Sequence, residues 1–479
     1  MKLVKRIVLW IVGVVGALVL AFVGLHAYYR LTPVELSEEA KALLEETAHM
    51  AQLTENGYRL HGLLAPEGMD PVIYGKCLVN ANVEHAKSGD PFFKKYETDA
   101  ERDAWIKTWS EGLKQRTDVC AGGKLPLDSL ARPQQVRLAP GQPLSEWANM
   151  IIARGDPVLS ARWESVLSSG VRGGIPDPTL AIIASLQTPL ELERRQLGLF
   201  ASEWSAANSA ASRASAWRHI STRVAPLVAF ADGTLIESMI ATAGITRQLL
   251  VMQAATSGAN ELDQALSREM LATLKAVDRL PFAVSNAIGA EFQGSVAITD
   301  NMLGRQGFGT GYGPAFVEWM GRFAFDRGDT LNLFAMGYRD SQRAVQSRTR
   351  GNTNDSRAYV FAANMGCPSW GDYFWACLVL ERNAAGRVIA TIAIPAYADY
   401  GLRAWDVVNL AAATRLTIEA RRRGLQGEAL AQFIASAPEG MRDVYTQKAF
   451  LYDASSRKLK IELKMKSTVL GEKSYELTL

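Results

Sequence analysis

From Ile7 to Tyr29 the chain carries no formal charge. At about 1.5 Å per helical residue this stretch reaches across a bilayer core of roughly 30 Å. No other run of comparable length is free of charge. Lys2, Lys5 and Arg6 precede it, and because such cations stay on the cytoplasmic side, the rest of the chain is expected on the far side. The matching location is a bacterial inner membrane with a periplasmic body. The rival reading is a cleaved signal peptide, with an apolar core of about 7–15 residues followed by a small-x-small site. The run here is longer, and Leu25-His26-Ala27 puts a large residue where a small one is required. The sequence therefore predicts a retained single-pass anchor that contacts lipid through residues 7–29.

That compartment gives the four cysteines a meaning. Cys77, Cys120, Cys367 and Cys377 fall into two local groups, and in an oxidising space the simplest of three pairings is Cys77–Cys120 with Cys367–Cys377. Neither pair has zinc-site spacing, so no metal and no other cofactor is expected. With 52 Lys+Arg against 49 Asp+Glu the net charge is +3, which speaks against nucleic acid as a partner.

Histidine is scarce. His26 lies in the anchor, His49, His61 and His85 lie in the N-terminal third, and His219 is the last. Nothing beyond residue 219 can use a histidine base, and no Gly-x-Ser-x-Gly elbow exists to accompany one.

After the anchor, Ser37 with Glu38 and Glu39 predicts a capped helix to about Leu53. The Asn56-Gly57 step and Pro66 then predict an irregular stretch. Residues 91–116 read as helix, with Trp105 and Trp109 one turn apart on a face suited to packing or to sugar stacking. Gly and Pro recur from Ala121 to Pro143 and mark a boundary. Beyond it comes an antiparallel helical array over 145–300. A capping box is read at Thr188–Glu191, with Leu197, Phe200, Trp204, Ala207 and Ala211 on one face. A second helix carries Trp217, Ile220, Val224 and Leu227. Asp232-Gly233 breaks the pattern, and a second capping box at Thr234–Glu237 restarts it. Asn260 is read as the next cap, and Pro281 as the opening of a further helix.

The glycine-rich segment 304–313 follows a helix and lacks Lys, so it reads as a connector or lid rather than a phosphate loop. Helix resumes over 314–347. Segment 351–356 is loop chemistry without the Glu of a calcium site. From Asn383 to Gly424 two helical pieces are broken near Pro395, although Val388 to Ile392 would also suit a strand. Arg421-Arg422-Arg423-Gly424 is a helix end. Period-two alternation over Leu459, Ile461, Leu463 and Met465, with Phe450 and Tyr452 before it and Tyr475, Leu477 and Leu479 after it, predicts a small antiparallel β meander. Ser455-x-x-Lys458 falls in a hairpin turn and not at a helix start, so it is not a penicillin-binding-type nucleophile. The fold class is mainly α. The units are 1–30 (stub and anchor), 31–125 (mixed subdomain), 126–145 (linker), 146–350 (array), 351–437 (disulfide loop and helices) and 438–479 (meander).

Two stretches resemble a group of proteobacterial membrane-anchored proteins with largely helical bodies. Glu55-Asn56-Gly57-Tyr58 through Asp70-Pro71 and Gly75 resembles their opening. Asp443 to Tyr452 is similar to an Asp-Pro-x-Thr-Gly-Lys-Pro-Phe-x-Tyr string that ends many of them, with Val444, Gln447 and Ala449 in place of Pro, Gly and Pro. The resemblance favours helix around 386–400. It brings no activity and no catalytic residues.

Three functions fit these features. The first is a non-catalytic envelope protein that binds another protein or a cell-wall component. The second is a glycan or peptidoglycan hydrolase working through a carboxylate pair, for which Glu203, Glu237, Glu291 and Asp326, each among apolar neighbours, are the candidate carriers. The third is an immunity-type inhibitor that occludes a toxin's active site.

Overall fold

The computed structural model describes residues 2–50, 52–87, 99–124, 127, 138, 143–152, 157–169, 187–257, 262–304, 325–346, 382–383, 386–387, 390, 397–465 and 473–479. It is mostly helical, with an apolar N-terminal helix and a small antiparallel sheet at the C-terminus. The expectations for 305–313, 351–356 and the Cys367–Cys377 pair lie outside the described residues, as does most of the 121–143 boundary.

Helix α1 (Lys2–Leu31) is long and apolar enough to cross a membrane. It stands clear of the core, with Trp10 and Leu20 77% and 74% exposed. Its apolarity is therefore not spent on packing. Helix α10 (Leu235–Ser257) passes the same test of length and apolarity, but most of it is buried inside the body. It is a core helix, surrounded by α8 (Gln187–Ala206), α9 (Ala210–Phe230), α12 (Leu280–Gly304) and α14 (Ala398–Arg422). One continuous core runs from Ala40 to Leu479.

The opening of the body is more helical than its sequence suggests. Ser37 caps α2 (Glu38–Glu46) by accepting from the Ala40 N–H at 3.1 Å, but the helix ends at Glu46 and a 3-10 turn (Ala48–Met50) follows. Where a loop was expected, Thr54 caps a further helix, α3 (Glu55–His61), and Asn56 is turned inward to donate to the Val166 carbonyl at 3.1 Å. Gly57, read as a breaker, is instead a buried first-turn residue whose N–H donates to Thr54 Oγ1. Helix α4 (Pro71–Lys87) then crosses α3 at two glycines. A Cβ on Gly62 would sit 1.7 Å from the Pro71 oxygen, and one on Gly75 would sit 1.9 Å from the Tyr58 oxygen. The Gly75 of the resemblance thus marks a backbone-to-backbone contact that no other residue permits. Helix α5 (Asp99–Cys120) is tied back to α4 by the Cys77–Cys120 disulfide, the pairing read from the spacing. The side chains of Trp105 and Trp109 fall outside what the structure describes.

The array contains α6 (Leu144–Ile152), α7 (Pro157–Ser168), α8, α9, α10, α11 (Gln264–Leu274) and α12. Three boundaries differ from the periodicity. Helix α8 begins at Gln187, so Thr188 lies inside its first turn. It also ends at Ala206, because Ser209 and Ser212 form a capping box that starts α9, and Ala211 belongs to that second helix. The cap of α11 is Asp263, not Asn260: its carboxylate accepts from the N–H groups of Ala265 and Leu266, both at 2.9 Å. An anion at this position also interacts favourably with the positive end of the helix.

Beyond the array come α13 (Arg327–Gln346), α14 and the short α15 (Gly427–Ala435), which the sequence did not signal. Gly386, Arg387 and Ala390 are helical, so among these residues helix is the outcome over strand. Helix α14 ends at the Arg run with Gly424 at φ +62°, as expected. The meander has strand order β1 (Leu451–Asp453), β2 (Lys458–Glu462), β3 (Ser474–Thr478), with Leu459 opposite Leu477 and Ile461 opposite Tyr475. Leu459, Ile461, Leu477 and Leu479 close over the core, while Lys458, Lys460, Glu462 and Glu476 stay wet.

Candidate functional site

The structure brings two of the four candidate carboxylates together, at the head of α10. The Thr234–Glu237 box forms as read: the Thr234 N–H donates to Glu237 Oε2 at 2.8 Å, and the Glu237 N–H donates to Thr234 Oγ1 at 3.3 Å. The next N–H, from Leu235, donates to Glu291 Oε1 of α12 at 3.0 Å. Burial pushes the Glu291 carboxyl above its ordinary value; the Leu235 N–H opposes this and neighbouring Glu237 adds to it. One turn further along α12, Ser295 meets Tyr338 of α13 at 2.6 Å, and the Tyr338 hydroxyl meets that of Tyr397 at 3.0 Å. Burial pushes Tyr397 up to about 12, with the charge of Glu291 adding to it, and holds Tyr338 well above the usual phenol range.

Both carboxylates of this cluster cap the head of α10. Each carboxylate has an oxygen committed to an orphan N–H of the α10 first turn, where the helix dipole favours it. Glu237 is buried, and burial keeps both phenols protonated near neutrality. The other two candidates lie elsewhere. Glu203 pairs with His219 at 2.9 Å on the surface. Asp326 caps α13 by accepting from the Asp329 N–H at 3.1 Å, and its second oxygen accepts from Arg382 Nε at 3.0 Å and from the Val34 N–H at 3.3 Å. Among the described residues no three His, Cys, Asp or Glu side chains gather as metal ligands would.

A buried ion pair went unread in the sequence. Glu193 of α8, with no exposed area, accepts from Arg223 Nη2 at 2.6 Å, from Trp163 Nε1 at 2.6 Å and from Gln248 Nε2 at 3.2 Å. Its neighbours in α8 and those of Arg223 in α9 form the apolar stripes Leu190, Leu197, Phe200 and Trp217, Ile220, Val224. A charge at helical spacing inside such a stripe was the available signal.

Among the described residues, one concave feature is a groove of about 720 Å³ between α9, the 3-10 turn Lys275–Arg279 and the start of α12. Ala225, Val228, Ala276 and Ala283 form a shallow apolar floor. Phe282, 51% exposed, stands at one side, and Lys275, Arg279, Asn286 and the acid Asp232 are its polar lining. Small side chains leave the space, and the run of the chain from α11 through the 3-10 turn into α12 brings the two cations to its rim. Sequence reasoning placed nothing here, because alanines in a helical array look like packing. No family model, no curated protein and no solved structure matches the chain.

Proposed function

We propose that the chain is a membrane-anchored periplasmic binding or scaffold protein of the cell envelope, whose helical body offers the α9–α12 groove to a protein partner. The observation that carries this reading is α1: an apolar helix of membrane-spanning length with its large side chains uncovered, joined to a body built on helix packing. The Cys77–Cys120 bond supports an oxidising compartment. The groove supports a partner segment with a small apolar side chain for the alanine floor and an acid for Lys275 and Arg279. The hydrolase reading has less support, since the two carboxylates that meet are engaged in helix capping.

The test uses the full chain in native membranes. Protease added to spheroplasts is expected to cut the body without rupture of the inner membrane. A photo-crosslinking amino acid at Phe282 is expected to give one discrete protein adduct, lost in Arg279→Glu. A body shielded until the inner membrane is broken would overturn the location. Adducts with glycan alone, or none, would overturn the binding role.

A further inference from the structure

The chain leaving α1 is fastened to the body at every turn. Arg382 donates from Nη2 to the Tyr29 carbonyl at 3.3 Å, stacks its guanidinium 5.6 Å from the Tyr29 ring, and donates from Nε to Asp326 at 3.0 Å. The same Asp326 oxygen takes the Val34 N–H, and Gly328 lets the Val34 carbonyl approach to where a Cβ would stand, 1.9 Å away. Three residues on, the Ser37 N–H donates to Asn332 Oδ1 at 2.7 Å and Asn332 Nδ2 donates to the Glu35 carbonyl at 2.9 Å, a reciprocal pair. Helix α2 is then pinned to α13 by Arg339–Glu46 at 2.6 Å and Arg343–Glu39 at 3.3 Å. A tether that only limits distance needs none of these bonds.

We propose that α1 and the body form one bracket, so that the face carrying Asp326, Arg327 and Arg382 is held against the headgroups of the outer leaflet. This rests on the reading of α1 as a membrane span. The depth follows from the joint: Tyr29 ends the uncharged run, tyrosine favours the headgroup level, and Arg382 is bonded to the Tyr29 carbonyl. Arg382 and Arg327 can then meet lipid phosphates, as guanidinium groups do. Arg382 is a positioning residue for the whole body.

The experiment is depth measurement by spin-label power saturation on the full chain in phosphatidylcholine/phosphatidylglycerol nanodiscs. The nitroxide is attached through a ketone-bearing amino acid at Asp300, so the cysteines are untouched. Asp300 forms an exposed pair with Arg327, and such pairs contribute little to stability. In the otherwise native chain the label is expected within about one headgroup thickness, roughly 7 Å, of the phosphate plane. In Arg382→Ala, and independently in a chain with a Gly-Ser insertion after Thr32, it is expected to recede and its depth to spread, with the body's melting transition retained. If the label in the otherwise native chain, embedded in the bilayer, is already remote or broadly distributed, the bracket is overturned and the anchor stands. A chain that carbonate washes off the membrane would overturn both.

Discussion

At the scale of single residues, one carboxylate holds the turn that precedes the C-terminal meander. The Asp443 carboxylate accepts from the Tyr445 and Thr446 N–H groups at 3.1 and 2.8 Å and from Asn409 Nδ2 at 3.0 Å. The residue standing where the string has Gly, Gln447, adopts φ +57°. This is the left-handed conformation, which glycine reaches freely and glutamine does not. Gln447→Gly is expected to raise stability by about 0.5 kcal/mol, after loss of the Gln447 bond to the Val444 carbonyl, and a denaturant midpoint will read it. His61 makes a second residue-scale case. It keeps some exposed area, yet burial draws its imidazole down to about 4. The unfolded chain binds that proton at higher pH, so His61 contributes stability that is full above about 6.5 and lost as pH falls toward 4, at most about 3 kcal/mol. Glu291 and Asp406, whose carboxyls are raised mainly by burial, act in the opposite sense and gain on acidification. The histidine share is therefore read as the difference between the chain and His61→Gln across that window, with the variant expected to lose less.

At the scale of elements, legibility followed the local chemistry. The α10 capping box was readable because both partners lie within four residues, and the meander because alternation over Leu459–Leu463 has no helical counterpart. Helix α3 was hidden because Asn-Gly is a turn dipeptide until a tertiary acceptor, the Val166 carbonyl, claims the asparagine. The α8–α9 break was hidden because Ala207 and Ala211 keep the period across it. Of the candidate acids, Glu237, Glu291 and Asp326 proved partly or wholly buried and Glu203 exposed, and the burial came with backbone donors that no linear pattern displays. The tightest of these element contacts makes a prediction. Gly75→Ala must part α3 from α4 and is expected to cost about 3 kcal/mol. Ile73→Ala, at an exposed position in the same helix, should stay within about 0.5 kcal/mol. Paired thermal melts compare the two.

At the scale of the whole molecule, a single covalent link closes the α4–α5 layer. With Cys77 and Cys120 separated by 43 positions in the chain, removal of the bond by Cys77→Ser with Cys120→Ser is expected to lower stability by about 3–4 kcal/mol. Reductant should lower the melting temperature of the native chain by more than it lowers that of the double variant.

Helix α2 packs on α12 and α13, and its flanking backbone bonds to Asn332, 295 residues later in the chain for Ser37. During synthesis, then, the first piece of the body to appear waits for a partner that does not yet exist. Its Ala40 and Leu43, fully covered in the finished fold, must meanwhile stay uncovered. Chaperones that shield emerging apolar segments should therefore associate longest with nascent chains stalled ahead of residue 346, and let go once that docking site is complete.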